Sequence, residues 1–248
     1  MLKDVEPRAD EDGRSASDRE QLSPRLRAAE TLRRSVLSTD WSHMTYRRQQ
    51  ILEAFVAIAS AKGYESVTMR SIGAHVDMKA PSIYRHFPNG RDEIVAEAYR
   101  WHFYRFATDI LEAVDHTADA RSFWHTLMAV HLRRQLESPE NDMWDILMAS
   151  DRIGGFLPVE GRREYDEWLA LYDQMHAGAA LELGYPAEDA EKVARVVVKI
   201  LDTANEWCRW DGTTEGLRVC VAQAIAISEA LLRVDLSHAV TAADQLTV

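Results

Sequence analysis

Apolar residues recur at three- and four-residue spacing along most of the chain, and no stretch alternates for the length of a strand. The fold class is therefore all-α. Residues 1–22 depart from the pattern. They are polar, acidic and aperiodic, and read as a disordered tail. Ser23-Pro24 then starts a helix, with Ser as N-cap and Pro in the first turn. Leu26, Ala29, Leu32 and Val36 carry it to about Ser38, and a linker follows to Met44. Over residues 45–62, Ile51, Leu52, Phe55, Ile58 and Ala59 form one stripe, and Gly63 can end the helix. Thr68 is placed to cap a short helix from Met69 to His75. Asp77 falls in a tight connection, and a third short helix runs from Lys79 to His86. Pro88-Asn89-Gly90 breaks the chain again.

After Arg91 the helical spacing predicts segments at 91–115, 119–137, 141–151, 159–183, 187–210 and 213–234. Pro139, Gly154-Gly155, Pro158, Gly184-Tyr185-Pro186 and Asp211-Gly212 punctuate them. The partition that follows is a tail at 1–22, an extra helix and linker at 23–44, a three-helix unit at 45–91, a larger helical domain at 92–235 and a tail at 236–248.

Composition adds a core of useful size: 46% of the 248 residues are apolar. The net charge of −11 speaks against a nucleic-acid partner until it is mapped. Residues 21–91 carry 11 basic and 5 acidic side chains, whereas residues 92–248 carry 14 basic and 28 acidic. A basic module on an acidic body suits local phosphate binding. Two cysteines, Cys208 and Cys220, are too few for a disulfide framework and read as buried thiols in a reducing compartment. The first residues lack the apolar run of a signal peptide, and no run reaches membrane-span length, so a cytoplasmic protein is expected. There is no Gly-rich phosphate loop, nucleophile elbow or paired-cysteine motif, and the histidines have no metal spacing. Neither an enzyme nor a cofactor is expected.

Two short helices joined by a tight turn are helix-turn-helix geometry, in which the second helix can enter a major groove. Here the residues carry a resemblance. Lys62-Gly63-Tyr64, then Thr68-Met69-Arg70-Ser71-Ile72-Gly73, then Lys79-Ala80-Pro81-Ser82-Ile83-Tyr84-Arg85-His86-Phe87 stand in the register of the tetracycline-repressor (TetR) family of transcriptional regulators. The resemblance covers Arg47 to Val95. Asp77 stands where the family often has Gly, and Gly73 where it usually has Ala. The resemblance implies that Lys79, Ala80, Pro81 and Ser82 face base edges. It implies that Tyr84, His86 and Arg91 meet phosphates, with Thr68 and Arg70 adding phosphate or base contacts. Tyr84 and His86 could instead close the small core. Phe55, Ile72, Ile83 and Phe87 read as core. The helix at 23–38 carries Arg25, Arg27, Arg33 and Arg34. It either reaches along DNA or packs on the first domain helix.

The resemblance also implies that the second domain dimerises and binds a small effector. The stripes Val193, Val196, Val197, Ile200, Leu201, Ala204 and Leu217, Val221, Ile225, Ser228, Ala230, Leu232 are candidates for a homodimer face. A ligand site is sought among Trp101, His102, Phe106, Trp124, His131, Met143, Trp144, Asp145, Met148, Arg152, Tyr165, Trp168, Tyr172 and Met175. Any one of these is equally at home in a core. A phenolic-type aromatic effector suits them, with Arg152 or Asp145 at its polar end. The alternative is an acyl-CoA thioester, because Asn205-Glu206-Trp207-Cys208-Arg209-Trp210-Asp211-Gly212 is similar to relatives that sense such ligands. Arg133-Arg134 and Arg162-Arg163 could then serve its phosphates. The function expected is a repressor released from a palindromic operator by its effector. The remote alternative is a dimeric interaction module without DNA binding.

Overall fold

The structure is a computed structural model and describes residues 22–138, 141, 144, 147–149 and 159–234. Every regular element among them is helical. The tails expected at 1–22 and 236–248 fall almost wholly outside the described residues.

Helix α1 (Pro24–Leu37) starts behind Ser23, with the proline in its first turn as the sequence predicts. Its buried side Ala28, Ala29, Leu32 and Val36 packs on α7 (Val159–Glu182) and α5 (Arg91–Val114). The reason lies partly in Gly178 of α7. A Cβ there would stand 2.6 Å from the Arg25 nitrogen and 2.7 Å from the Pro24 carbonyl carbon. Only a residue without a side chain lets the two backbones approach so closely. Arg25 pairs with Glu182, and Arg33 with Asp115 at 2.6 Å. The extra helix is thus built into the large body, rather than onto the first helix of the small unit. The charges of Arg25 and Arg33 are spent on that body.

Helices α2 (Tyr46–Lys62), α3 (Met69–His75) and α4 (Ala80–His86) form the small unit, with a single 3-10 turn at Tyr64–Ser66 after α2. The Thr45 hydroxyl accepts from the Arg48 amide and caps α2. Thr68 and Ser71 cap α3 reciprocally. Phe55, Ile72, Ile83 and Phe87 are fully buried, as expected.

The body contains α5, α6 (Ala120–Glu137), α7, α8 (Ala187–Asp202), α9 (Ala204–Trp207) and α10 (Thr214–Leu231). Asp119 and Ser122 cap α6 in the same reciprocal way. The helix expected over 187–210 is broken. Thr203 turns its hydroxyl back onto the Lys199 carbonyl at 3.0 Å, and the chain kinks there. The Trp207 indole donates to the Ile200 carbonyl at 2.7 Å, which satisfies an acceptor freed by the kink. One apolar core runs unbroken from the small unit into the body.

Candidate nucleic-acid interface and effector cavity

In the small unit, the α3–α4 turn is set by two residues. Asp77 takes the left-handed conformation, φ +51°, which a short polar side chain tolerates. Gly73 lies beneath the turn, and its carbonyl accepts from the Met78 amide at 2.8 Å. A Cβ at 73 would stand 2.5 Å from the Met78 carbonyl oxygen, so the glycine permits the close turn as well as weakening α3.

The turn leaves Thr68, Arg70, Lys79, Pro81 and Tyr84 exposed, with Ala80, Ser82 and His86 half-buried. Tyr84 keeps 49% of its surface while its ring rests over the Gly90 backbone. About half of the Tyr84 side chain therefore stays outside the small core. Arg91 is turned inward. It donates to the Val67 carbonyl at 3.2 Å and lies 4.2 Å over the Tyr64 ring.

Sequence reasoning missed Arg48. It pairs with Glu97 and sits 3.6 Å from Glu93, both on α5. It also donates to the His86 carbonyl at the end of α4 and lies 4.1 Å over the Phe87 ring. One guanidinium therefore ties α2, the end of α4 and α5 together. Its only signal in the sequence is its place in the first turn of α2.

The body holds a cavity of about 700 Å³ that is open to the outside, within the range that takes small molecules. Of the residues singled out in the sequence, His102 and Phe106 of α5, His131 of α6, Trp144, Met148, and Tyr165 and Tyr172 of α7 line it. Three tryptophans do not. Trp101 packs against Trp41 and Tyr104 outside it. Trp124 is buried and donates to the Ser228 hydroxyl of α10 at 2.9 Å. Trp168 donates to Ser35 of α1 at 2.9 Å and stacks on Phe103. Met175 is fully buried core. Met143, Asp145 and Arg152 lie outside the described residues.

The missed part of the lining is polar and comes mainly from α8 and its kink: Arg195, Lys199, Asp202, Thr203 and, beyond it, Asn205 and Glu206. The apolar stripe of the same helix was expected to form a dimer face, and no site was sought on its polar side. In fact Val193, Val197, Leu201 and Ala204 are buried within the protomer, while Val196 stays exposed. Arg133, Arg134, Arg162 and Arg163 are absent from the described lining, and Arg134 is paired with Asp109.

The polar groups are chained. Lys199 pairs with Asp202 at 2.6 Å, Asp202 faces His131 Nε2 at 3.2 Å, and His131 Nδ1 meets the Tyr172 hydroxyl at 3.0 Å. Burial works against ionising Asp202, but the hydrogen bonds from His131 and Lys199 and the charge of Lys199 outweigh it and hold the carboxyl below its usual range. Burial, helped by Asp202, pushes the Tyr172 phenol well up. Burial raises Asp173 to about 6, and burial with Arg134 and Arg105 nearby keeps His102 neutral.

The cysteines differ from expectation. Cys208, just after α9, and Cys220 of α10 form a disulfide with Cα atoms 5.9 Å apart. Both are buried. The kink at Thr203 brings the end of the segment back onto α10, which their sequence spacing alone does not reveal.

Residues 51–98 match the family of bacterial regulatory proteins described as the tetR family. The HTH-type transcriptional repressor KstR of Mycolicibacterium smegmatis is 31% identical over 153 residues, 61% of this chain and 71% of that protein. The chain belongs to the tetR family. KstR of Mycobacterium tuberculosis is 32% identical over 152 residues, 61% of this chain and 66% of that protein. Two tetR-fold structures lie further off in sequence. FadR from Bacillus subtilis in complex with stearoyl-CoA has a TM-score of 0.58 at 16% identity, covering 75% of this chain and 97% of that one. AibR in complex with isovaleryl coenzyme A and operator DNA has a TM-score of 0.60 at 17% identity, covering 72% and 96%. These share the fold: a helix-turn-helix unit on a larger helical body.

Proposed function

We propose that this tetR-family regulator is a repressor that binds a palindromic operator as a homodimer and leaves it when a small effector fills the cavity. The observation that carries this reading is α5. It lines the cavity with His102, Phe103 and Phe106, and it holds the reading head through Glu97 and Arg48. Residues 97 and 102 are about 7.5 Å apart along a helix axis, so a tilt at the cavity is delivered rigidly to the head. An effector shifts the balance only by its difference in affinity for the two tilts. Thr68, Arg70, Lys79, Ala80, Pro81, Ser82, Tyr84 and His86 form the DNA-facing set. Arg91 supports it from within.

The homodimer face is assigned to α10. Val219 and Ile227 are exposed there, with Ala222, Ala226 and Ala230 exposed at helical spacing between and beyond them. Small residues flanked by branched ones suit close helix contact between copies.

The effector favoured is aromatic, because Phe103, Phe106, Trp144, Tyr165 and Tyr172 surround the space. The acyl-CoA alternative is supported by the ligands of FadR and AibR. The test is operator release, read by fluorescence anisotropy, with phenols in one arm and acyl-CoA thioesters in the other. Release by neither class overturns the effector reading.

A further inference from the structure

The chain of polar groups at the cavity wall has a direction. Ionised Asp202 accepts a hydrogen bond from His131 Nε2–H, and in the neutral imidazole this leaves Nδ1 as an acceptor. The Tyr172 hydroxyl then donates to Nδ1. Its own proton is spent, and its oxygen keeps lone pairs to offer. Asp202 is fixed in turn by Lys199. Tyr172, His131 and Asp202 all line the cavity, and Tyr172 and His131 are almost wholly buried. The same wall carries Asp173 and Glu206.

We infer that the effector presents a neutral hydroxyl, a phenol or an alcohol, whose proton is donated to the Tyr172 oxygen. A carboxylate is rejected at this wall. This rests on the effector cavity proposed above and narrows its ligand to one chemical class. A carboxylate brings no proton for Tyr172 and would sit beside the carboxylates of Asp202 and Asp173. Lys199 is already committed to Asp202. Among the described residues Arg195 is the remaining lining cation, and it stands exposed on α8. Buried acceptors left unpaired are costly, which is how a hydrogen-bonding site discriminates strongly between near-isosteres.

Three probes of nearly one shape test the inference on the full chain: 2-naphthol, 2-methoxynaphthalene and 2-naphthoate. Their affinities are measured by calorimetry, and stearoyl-CoA is included as a fourth ligand. The expected order puts 2-naphthol at least 10-fold tighter than its methyl ether and tighter still than the carboxylate. In Tyr172→Phe, checked for folding by circular dichroism, naphthol and ether come within about 3-fold of each other. The wild-type comparison stands even where the variant fails to fold. Equal affinity for naphthol and ether, or tighter naphthoate binding that Arg195→Gln removes, overturns the inference. Stearoyl-CoA binding alone also overturns it. In that last case DNA release by the thioester would leave the regulator reading intact, whereas DNA binding indifferent to every ligand would sink both.

Discussion

Gly178→Ala and Gly161→Ala are the same substitution on the same helix, and the structure gives them opposite signs. In an open helix interior, alanine gains about 0.8–1 kcal/mol over glycine. At Gly161 the new methyl meets one ordinary contact, Ala96 Cβ at 3.8 Å, so most of that gain is realised. At Gly178 it meets three backbone atoms of Pro24 and Arg25 between 2.6 and 2.8 Å. Backbone cannot swing aside as a side-chain tip can, so α1 must lift from α7. Overpacking of this kind costs about 1–3 kcal/mol, and three backbone clashes place it near the top of that range. The net loss at 178 is then about 2 kcal/mol, and the two variants differ by about 3 kcal/mol. Urea unfolding followed by far-ultraviolet circular dichroism measures this. With a slope near 3 kcal/mol/M the midpoints separate by about 1 M at unchanged slope. A Gly178→Ala midpoint at or above that of wild type would refute the close approach of α1 and α7.

Other outcomes follow from the same geometry. Tyr84→Ala weakens operator binding at least 10-fold while size-exclusion chromatography still shows the dimer; unchanged affinity would remove Tyr84 from the interface. Joint replacement of Cys208 and Cys220 by serine removes a cross-link between residues 12 apart in sequence, and lowers stability by at most about 3 kcal/mol. Equal midpoints with and without reductant in the wild type would show that the link does not form. His176 is fully buried, and burial depresses its pKa to about 3, against the lift given by its bond to the Tyr172 carbonyl. The unfolded chain therefore takes up its proton near pH 6.5 while the folded chain refuses it. This contribution is intact above pH 6.5 and is lost as the pH falls from there toward 3. His176→Gln flattens that slope in denaturation midpoints measured from pH 7 to 5, and an unaltered slope would count against neutral burial.

The small unit was legible because its signals are local. Thr68 caps its helix, Asp77 takes the left-handed turn, and Ile72, Ile83 and Phe87 bury at the spacing the sequence shows. The cavity was legible only in part. Trp101, Trp124, Trp144 and Trp168 look alike along helices, and only packing separates Trp144 on the lining from the other three. The charged lining from α8 was hidden because its apolar stripe resembles a dimer face. What it buries, Val193, Val197 and Leu201, goes into the protomer itself. Its polar side, Arg195, Lys199 and Asp202, then meets the cavity. The placement of α1 on the body depended on Gly178, more than 140 residues away, and no local pattern reports such a partner.

The central claim is that one chain reads DNA and lets it go when the cavity fills. It is tested most directly by selecting genomic duplexes with the purified protein at about 0.15 M salt, where weak nonspecific binding is suppressed. The enriched sequence is then titrated by fluorescence anisotropy with and without 2-naphthol. The account predicts a palindromic sequence, saturable binding that unrelated duplex does not compete, and loss of that binding as naphthol is added. Enrichment no better than that of Tyr84→Ala, or binding that no occupant of the cavity alters, would contradict it.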